Sequence, residues 1–182
     1  MTAASTWSEG KIARAIALQT LAKKCVVLVD RCNWTGHECD VLAVTTDLRI
    51  IDVEVKISRA DLKADAKKDK WWIRRGWQWN QPEPDPTPRA WPPKVWKHYY
   101  ALPRELWDDA LFQALPSKAS GVLLVTERPN RTTPVLVHCV RRATPNKDAT
   151  KLTPAQAVDI ARLANLRMWD AYQRNGMLEV TA

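Results

Sequence analysis

The segment over residues 40–56 constrains the fold most strongly, because its second half alternates apolar and polar residues with the period of a β-strand. The odd positions are β-branched and apolar and the even positions are polar: Ile51, Val53, Val55 and Ile57 against Asp52, Glu54, Lys56 and Ser58. Successive side chains of a strand point to opposite faces of a sheet. The pattern therefore predicts a strand with one buried face, on whose other face Glu54 and Lys56 are neighbours.

The residues just before this strand predict that it is half of a hairpin. Residues 41–44 form a short apolar run, and Thr45, Thr46 and Asp47 supply the short polar side chains that favour a turn. In an antiparallel hairpin of this length, Asp40 at the start of the first strand comes beside Glu54 in the second. Two carboxylates and the ammonium group of Lys56 would then converge at one end of the hairpin.

This convergence predicts a site for a divalent cation. Two carboxylates a few ångströms apart repel each other, and a bound cation removes that repulsion. Hard oxygen ligands suit Mg²⁺, which keeps several waters and accepts phosphate oxygens as further ligands. A lysine beside the ion can orient or activate a water and offset the negative charge of a phosphorane. We therefore predict metal-assisted phosphodiester hydrolysis, with Asp40 and Glu54 as metal ligands and Lys56 as the catalytic lysine.

The spacing of these residues resembles the motif of the PD-(D/E)XK nuclease superfamily, since Asp40 is followed after thirteen residues by Glu54-Val55-Lys56. Two further stretches, EVKISRADLKADAKKDKW and HYYALP, are similar to those of small MmcB-like bacterial DNA-repair members of that superfamily. The resemblance covers residues 38–103, and the order of the predicted elements extends it to about 9–140. The residue before Asp40 is Cys39, where many members of the superfamily have proline.

The resemblance implies an α/β fold with a restriction-endonuclease-like core, in which helices flank a mixed central sheet. It implies a Mg²⁺-dependent deoxyribonuclease, with Mn²⁺ as an alternative ion, that acts in DNA repair, recombination or phage DNA processing. It also implies two further metal ligands, the backbone carbonyl of Val55 and the carboxylate of Glu9 in the first helix. The alternative for Glu9 is an ordinary first-turn acid that the helix dipole favours.

Length and charge are compatible with that interpretation. The 182 residues predict a single domain over 1–182, and a net charge of +8 with a pI of about 9.5 favours an anionic partner such as DNA. No apolar run is long enough for the core of a signal peptide or for a membrane span. We therefore expect a cytoplasmic protein without a membrane partner.

The basic segment after Lys56 is predicted to contact the DNA backbone. Ser58 and Asp61 have the spacing of a capping box, and the helix that they begin is predicted to end at about Arg74. Its basic side chains, continued by one in the next loop, can follow a line of phosphates: Lys63, Lys67, Lys70, Arg74 and Arg75. The alternative is a charged helix face that contacts only solvent.

Residues 73–97 are predicted to form a long loop insertion, because they contain six prolines and four tryptophans without any periodicity. Trp77 and Trp79 follow two arginines in this loop and are predicted to stack on DNA bases. Two alternatives remain for the tryptophans of the loop. They hold it against the core, or they form a contact in a homodimer.

The remaining elements are predicted from local patterns. Helices are predicted over residues 7–24, from Pro103 through Phe112, and over 153–175 with Thr153 as N-cap and Gly176 at the C′ position; strands are predicted over 25–31, 98–102, 122–126 and 133–141. Cys25, Cys32 and Cys39 are each separated by six residues, with His37 between the last two. These gaps do not match the close spacing of structural zinc ligands, so we interpret the cysteines as reduced thiols.

Three other functions are compatible with the sequence. The chain could keep this fold and bind nucleic acid without cleaving it, in which case the trio of Asp40, Glu54 and Lys56 is only a surface salt bridge. It could be a Holliday-junction resolvase, which requires a homodimer and four-way DNA. It could instead be an interaction protein that presents its tryptophan-containing loop to another protein.

Overall fold

The computed structural model of the protein describes residues 7–74, 85–128 and 134–179. The helices of the described residues are α1 (Glu9–Ile16), which continues as a π-helical turn over Ala17–Leu21, α2 (Arg59–Ala64) and α3 (Pro154–Glu179). The strands are β1 (Cys25–Cys32), β2 (Cys39–Thr45), β3 (Ile50–Val55), β4 (Trp72–Ile73), β5 (Thr87–Pro88), β6 (Lys97–Pro103), β7 (Gly121–Glu127) and β8 (Val135–Arg141).

The described strands form one mixed sheet of six and a separate two-stranded ribbon. The sheet has the order β1-β2-β3-β6-β7-β8, whereas β4 pairs with β5. Neighbours are antiparallel from β1 to β3, parallel from β3 through β6 to β7, and antiparallel again between β7 and β8. The predicted α/β fold with a mixed central sheet flanked by helices is therefore confirmed. In this sheet β3, the strand with the predicted catalytic residues, is flanked by β2 on one side and β6 on the other.

Helical segments cover both faces of the sheet. On one face, α1 buries Ile12 and Ile16 against Val53 and its same-face neighbours. On the other face, α3 buries Ile160 beside β1 and β2, while the segment that begins with α2 covers β6 and β7. Burial of these apolar side chains is the main favourable contribution to folding. The arrangement leaves the polar side chains of β3 beneath the segment that begins with α2.

The predicted hairpin is formed by β2 and β3, but its polar face is not exposed to solvent. β2 begins two residues and β3 one residue before its predicted start, and of the predicted turn Thr46 and Asp47 lie between the strands, whereas Thr45 is the last residue of β2. The exposed fractions of Asp52, Glu54 and Lys56 are 0%, 2% and 2%. Ile57, predicted on the buried face, follows the end of β3 and is 39% exposed, so that prediction is wrong. A polar residue buried to this extent requires partners within the protein.

Ser58 is the N-cap of α2 as predicted, whereas the predicted length of the helix is wrong. The hydroxyl of Ser58 accepts a hydrogen bond from the Asp61 amide at 3.1 Å. The α-helix then ends at Ala64, and two 3₁₀ turns follow over Asp65–Lys67 and Asp69–Trp71. The change of helix type has a physical reason, because three side chains of these turns are buried against the sheet: Asp65, Lys70 and Trp71.

Two other predicted helices differ from the structure in type or extent. The segment after Pro103 forms 3₁₀ turns over Arg104–Leu106 and Asp109–Ala114 in place of the predicted helix. Thr153 caps α3 as predicted, since its hydroxyl accepts from the Gln156 amide at 3.2 Å, but the helix continues past Gly176. Among the described residues, no helix, α3 included, is both long and apolar enough to cross a membrane.

The described part of the predicted loop insertion is attached to the protein core. The ribbon of β4 and β5 joins residues 72–73 to residues 87–88, and the Trp91 indole donates to the Thr144 carbonyl at 2.9 Å. Trp96 packs against the core on the α1 face of the sheet. Trp91 and Trp96 therefore hold this segment in place, which is one of the alternatives for the loop. Trp77 and Trp79 lie outside the described residues.

Candidate functional site

The register of β2 and β3 places Asp40 opposite Glu54. Val41 pairs with Val53, so the next pair along the antiparallel ladder is Asp40 and Glu54. The Asp40 carboxylate accepts a hydrogen bond from the Val55 amide at 2.7 Å, which fixes it against the end of β3. The two carboxylates predicted to bind a metal are thus cross-strand neighbours. Val55, whose carbonyl was predicted as a metal ligand, contacts Asp40 through its amide nitrogen.

Ammonium groups surround the carboxylate of Glu54. Lys56 Nζ donates to Glu54 Oε2 at 3.2 Å, and Lys70 Nζ donates to the other oxygen. Lys68 Nζ lies 3.6 Å from Oε2. The side chains of Lys56 and Lys70 are almost fully buried, whereas that of Lys68 is 50% exposed. The charge of Glu54 is therefore compensated by protein groups rather than by bulk water.

Asp65 is a second buried carboxylate of this site that the sequence analysis did not single out. Its Oδ2 accepts hydrogen bonds from the Tyr100 hydroxyl at 2.6 Å and from the Trp71 indole at 2.9 Å. Its Oδ1 lies 3.0 Å from both Lys56 Nζ and Lys68 Nζ. Asp65 thus connects the turns after α2 to β3 and β6. Because the hydrogen bond from Tyr100 joins residues 35 positions apart, the local pattern around Asp65 alone could not have identified it.

The ionisation of Asp40 and Lys56 follows from these surroundings. Burial and the neighbouring charge of Glu54 raise the pKa of Asp40 from 3.8 to about 6. Burial alone would lower the pKa of Lys56, but Glu54 and Asp65 outweigh it and hold that pKa above its ordinary value. Lys56 is therefore an ammonium ion at neutral pH. An added positive charge beside Asp40 would be stabilised there.

Asp40 and Glu54 line different cavities of the surface. Glu9 lies in the first turn of α1 and lines one cavity with Asp40, and its charge contributes to the raised pKa of Asp40. Glu54 lines another cavity, of about 330 Å³, together with Lys68. The structure thus brings Glu9 beside Asp40 and Asp40 beside Glu54. Among the described residues, these three acids do not form a group whose ligand atoms all lie within 4.8 Å of one another.

The predicted DNA-contacting lysines divide into exposed and buried residues. Lys63 and Lys67 are exposed, as contact with a phosphate backbone requires. Lys70 is only 6% exposed because its ammonium group is paired with Glu54 beneath the 3₁₀ turns. Its predicted position on an exposed helix face is therefore wrong, because the regular helix ends before it.

The remaining predicted DNA contacts lie at the end of the described segment or beyond it. Arg74 is exposed and pairs with Asp69, whose Oδ1 lies 3.0 Å from its guanidinium. An exposed pair of this kind is weak enough for a phosphate to replace the carboxylate. Arg75, Trp77 and Trp79 lie outside the described residues.

A second polar cluster lies beside Glu54 along β3. His37 Nε2 lies 3.0 Å from Asp52 Oδ2 and 3.6 Å from Cys39 Sγ. Within the described parts of the chain, these residues form the one group of three or more His, Cys, Asp and Glu side chains whose ligand atoms all lie within 4.8 Å. The sequence pattern groups His37 with three cysteines and not with Asp52, because the contact of His37 with Asp52 depends on the conformation of the loop before β2. All four cysteines are free, including the three that were predicted to be reduced thiols, Cys25, Cys32 and Cys39.

The pair of Asp40 and Glu54 fits a hard divalent cation by the chemistry of its donors. Both offer carboxylate oxygens, which Mg²⁺ prefers. Burial and mutual repulsion disfavour the charged form of Asp40, and a cation would relieve both effects. Glu54 already has ammonium partners, so the half-exposed Lys68 would be the first of them to be displaced. Asp40 and Glu54 are therefore the residues that would hold the ion.

Comparisons with known proteins support the fold and give no information about activity. No protein-family model matches the chain, and no curated protein matches it. A solved structure of a protein of unknown function from Silicibacter pomeroyi is similar, with a TM-score of 0.56 and 21% sequence identity. The similarity covers 96% of this chain and 96% of that one. At this level of identity, the two proteins share a fold over nearly their whole lengths.

Proposed function

We propose that the protein is a metal-dependent nuclease that hydrolyses phosphodiester bonds of DNA, with Mg²⁺ as its ion and Mn²⁺ as a substitute. The observation that carries this proposal is the placement of Asp40, Glu54 and Lys56 at one end of the β2–β3 hairpin. Two carboxylates for a cation and one ammonium group for a phosphate are the groups that such a hydrolysis requires. The resemblance to the PD-(D/E)XK superfamily rests on the same residues and suggests a role in DNA repair, recombination or phage DNA processing.

The ion would polarise a phosphate oxygen and lower the pKa of a water. The protein residues bind and orient the groups involved. Asp40 is fixed by the Val55 amide, and Glu54 is fixed by its lysines, so the two carboxylates are preorganised. Since Lys56 is protonated at neutral pH, it is suited to stabilising negative charge on the phosphate and not to removing a proton.

DNA would reach Glu54 when Lys68 leaves this carboxylate and pairs with a DNA phosphate. Lys68 is half exposed and pairs with both Glu54 and Asp65. A DNA phosphate is an anion that can replace these carboxylates as the partner of Lys68 at small cost, because the ammonium group is already near solvent. Lys70 is buried and would keep its contact with Glu54. Lys68 would thus join Lys63 and Lys67 in contacting the backbone.

The test is cleavage of end-labelled single-stranded, duplex and forked DNA in the presence of Mg²⁺, Mn²⁺ or EDTA. We expect EDTA to abolish cleavage by the wild-type protein. The variants Glu54→Gln and Lys56→Met are expected to abolish cleavage in the presence of the metal ion. Asp47→Asn is the matched control, because Asp47 is an exposed carboxylate at the other end of the same hairpin and pairs with Arg49. Retention of full metal-dependent cleavage in Lys56→Met would contradict the proposal.

A second function, nucleic-acid binding without cleavage, is favoured by the burial of the site. Glu54 and Lys56 are both 2% exposed and are paired with groups of opposite charge. A non-catalytic member of the fold could use these ion pairs only to fix the segment after β3. Binding of DNA that weakens with salt, with no cleavage in Mg²⁺ or Mn²⁺, would support this second function over the first.

A further inference from the structure

The cluster of His37, Cys39 and Asp52 has the geometry of a metal site distinct from the pair of Asp40 and Glu54. His37 lies in the loop between β1 and β2, Cys39 is the first residue of β2, and Asp52 lies in β3. Each offers one ligand atom, and these atoms all lie within 4.8 Å of one another. We propose that they bind one divalent transition-metal ion of the zinc class.

The distances from the His37 nitrogen to the other two ligand atoms agree with tetrahedral coordination. With usual bond lengths of Zn²⁺ to nitrogen, sulfur and oxygen, a tetrahedral ion separates nitrogen from sulfur by about 3.6 Å and nitrogen from oxygen by about 3.3 Å. The observed distances from His37 Nε2 are 3.6 Å to Cys39 Sγ and 3.0 Å to Asp52 Oδ2. An ion could therefore be accommodated by small side-chain movements, without rearrangement of the strands.

Polar atoms without partners give a second, independent indication of a ligand. Asp52 is 0% exposed, and its Oδ1 has no hydrogen-bond partner among the described residues. His98 is also 0% exposed, and its Nε2 is likewise without a hydrogen bond in the described structure, although it lies 3.9 Å from Asp52 Oδ2. Buried groups of this kind are costly unless something binds them. The unpartnered His98 Nε2 lies on the side of Asp52 Oδ2, the oxygen that would bind the ion, and offers a further nitrogen ligand.

Neighbouring hydroxyl groups are placed to orient the ligands. Ser120 Oγ lies 3.0 Å from His98 Nδ1, which leaves Nε2 as the nitrogen that faces Asp52. Thr35 Oγ1 donates to the His37 carbonyl at 2.9 Å and lies 3.5 Å from Cys39 Sγ. Outer contacts of this type hold metal ligands in position and increase affinity. They are present here around ligands from two segments of the chain, residues 37–39 and β6.

The charges and ligand types select the class of ion. Binding forms the metal–sulfur bond as the Cys39 thiol releases its proton to solvent, so one thiolate, one carboxylate and one neutral imidazole face a divalent cation. The loaded cluster is then electrically neutral, which suits a buried site near the ammonium group of Lys70. Nitrogen and thiolate ligands favour Zn²⁺, Co²⁺ and similar ions, whereas Mg²⁺ takes oxygen ligands.

The site is reachable from the surface and has room for a further ligand. His37 and Glu54 line the same cavity of about 330 Å³, so an ion can enter beside the His37 ring. Three protein ligands leave a fourth tetrahedral position for His98 or for a water. The site does not depend on the proposed nuclease activity, because none of its three ligands belongs to the pair of Asp40 and Glu54.

The test uses the full chain, freed of metal by a chelator and titrated with Co²⁺, whose bonds to thiolate absorb in the near ultraviolet. We expect one equivalent of Co²⁺ to produce thiolate charge-transfer absorption together with the visible bands of a tetrahedral ion, and Zn²⁺ to displace it. Cys39→Ser is expected to lose the charge-transfer band. Cys32→Ser is the matched control, because Cys32 is the buried cross-strand partner of Cys39 and lies outside the cluster, and it should keep the band.

Two further measurements separate loss of the site from loss of the fold. Zn²⁺ is expected to raise the Tm of the wild-type protein and not that of His37→Gln, in which the amide keeps a polar group beside Asp52. Thr35→Val is expected to weaken Co²⁺ binding by about 10–100-fold. A wild-type protein without thiolate charge-transfer absorption, or a Cys39→Ser variant that retains it, would overturn the proposal. DNA cleavage is not a readout of this test, so failure of the nuclease proposal leaves its outcome unchanged.

Discussion

At the scale of single residues, Lys56 and Lys68 contact the same two carboxylates in very different surroundings. The Lys56 side chain is 3% exposed and that of Lys68 is 50% exposed, although each lies 3.0 Å from Asp65. Removing a buried partner leaves a buried charge uncompensated, whereas an exposed partner can be replaced by water. Equal distances to Asp65 therefore do not imply equal contributions to stability.

We expect Lys56→Met to lower the free energy of unfolding by about 3–5 kcal/mol, because Glu54 and Asp65 would lose a buried cation. The matched variant Lys68→Met should lower it by less than about 1 kcal/mol. Urea denaturation of both variants at pH 7 measures the difference. Equal losses in the two variants would show that burial does not control the strength of these ion pairs.

Asp40 should make stability depend on pH in the direction opposite to that of an ordinary salt-bridged acid. Its pKa is about 6 in the folded protein, above the ordinary 3.8, because of burial, Glu54 and Glu9, with Lys56 acting in the opposite sense. The folded state therefore holds this proton to higher pH, and the contribution of Asp40 to stability falls as pH rises from about 4 to about 6.

The variant Asp40→Asn removes this effect. We expect it to be more stable than the wild type at pH 8 by about 1–2 kcal/mol, a value reduced for the partial exposure of Asp40. The advantage should disappear below pH 4. Denaturation of both proteins across this range without metal is the measurement, and a pH-independent difference would mean that Asp40 has an ordinary pKa.

At pH 8, Mg²⁺ should make the wild-type protein more stable than Asp40→Asn, the reverse of their order without metal. If Asp40 and Glu54 hold the ion, wild-type stability rises by about 2.7 kcal/mol when Mg²⁺ is at 100 times its Kd. Asp40→Asn should gain little. Thermal denaturation with and without Mg²⁺ tests this, with Asp47→Asn as the control that should respond like the wild type. An equal response in Asp40→Asn would exclude Asp40 as a ligand.

At the scale of elements, α2 and the turns after it should provide part of the DNA contact. Each phosphate neutralised by a lysine adds about 0.9 to the magnitude of the slope of log affinity against log salt. Lys63 and Lys67 are exposed, so replacing both with glutamine should reduce that slope by up to about 2. Replacing the exposed Lys147 and Lys151 with glutamine removes the same amount of charge away from α2. This control should change the slope less than the replacement of Lys63 and Lys67.

The sequence-based predictions were accurate for some elements and inaccurate for others. The hairpin of β2 and β3 was predictable because its alternation from Ile51 to Val55 is a local signal. The end of α2 was not, because the chain leaves the α-helix where Asp65 and Trp71 turn toward Tyr100, a residue distant in sequence. The same reason explains why Asp65 was missed and why Lys70 was placed on the surface.

Some contacts of the candidate site could likewise be predicted from the sequence, and others could not. The placement of Asp40 opposite Glu54 follows from one turn and one alternation, both visible in the sequence. The cluster of His37, Cys39 and Asp52 depends on a loop conformation before β2 that no local pattern specifies. Residues joined by neighbouring strands could therefore be predicted, whereas those joined through loops could not.

At the scale of the whole molecule, the described segments share one sheet, and its three apolar clusters lie against that sheet. We therefore expect the chain to unfold as one cooperative unit. Urea unfolding followed by far-ultraviolet circular dichroism and by tryptophan fluorescence should give coincident transitions. Two separated transitions would mean that part of the chain forms an independent domain.

The parallel pairing of β3 with β6 has a consequence for the order of folding. The β2–β3 hairpin joins residues close in sequence and can form early, whereas Tyr100 reaches Asp65 across 35 positions. Contacts of long sequence separation form slowly because a long loop must close first. During refolding or synthesis, Asp40 and Glu54 would therefore meet before Asp65 receives its hydrogen bond from Tyr100. The carboxylate pair would be formed early, and the buried lysine network would be completed late.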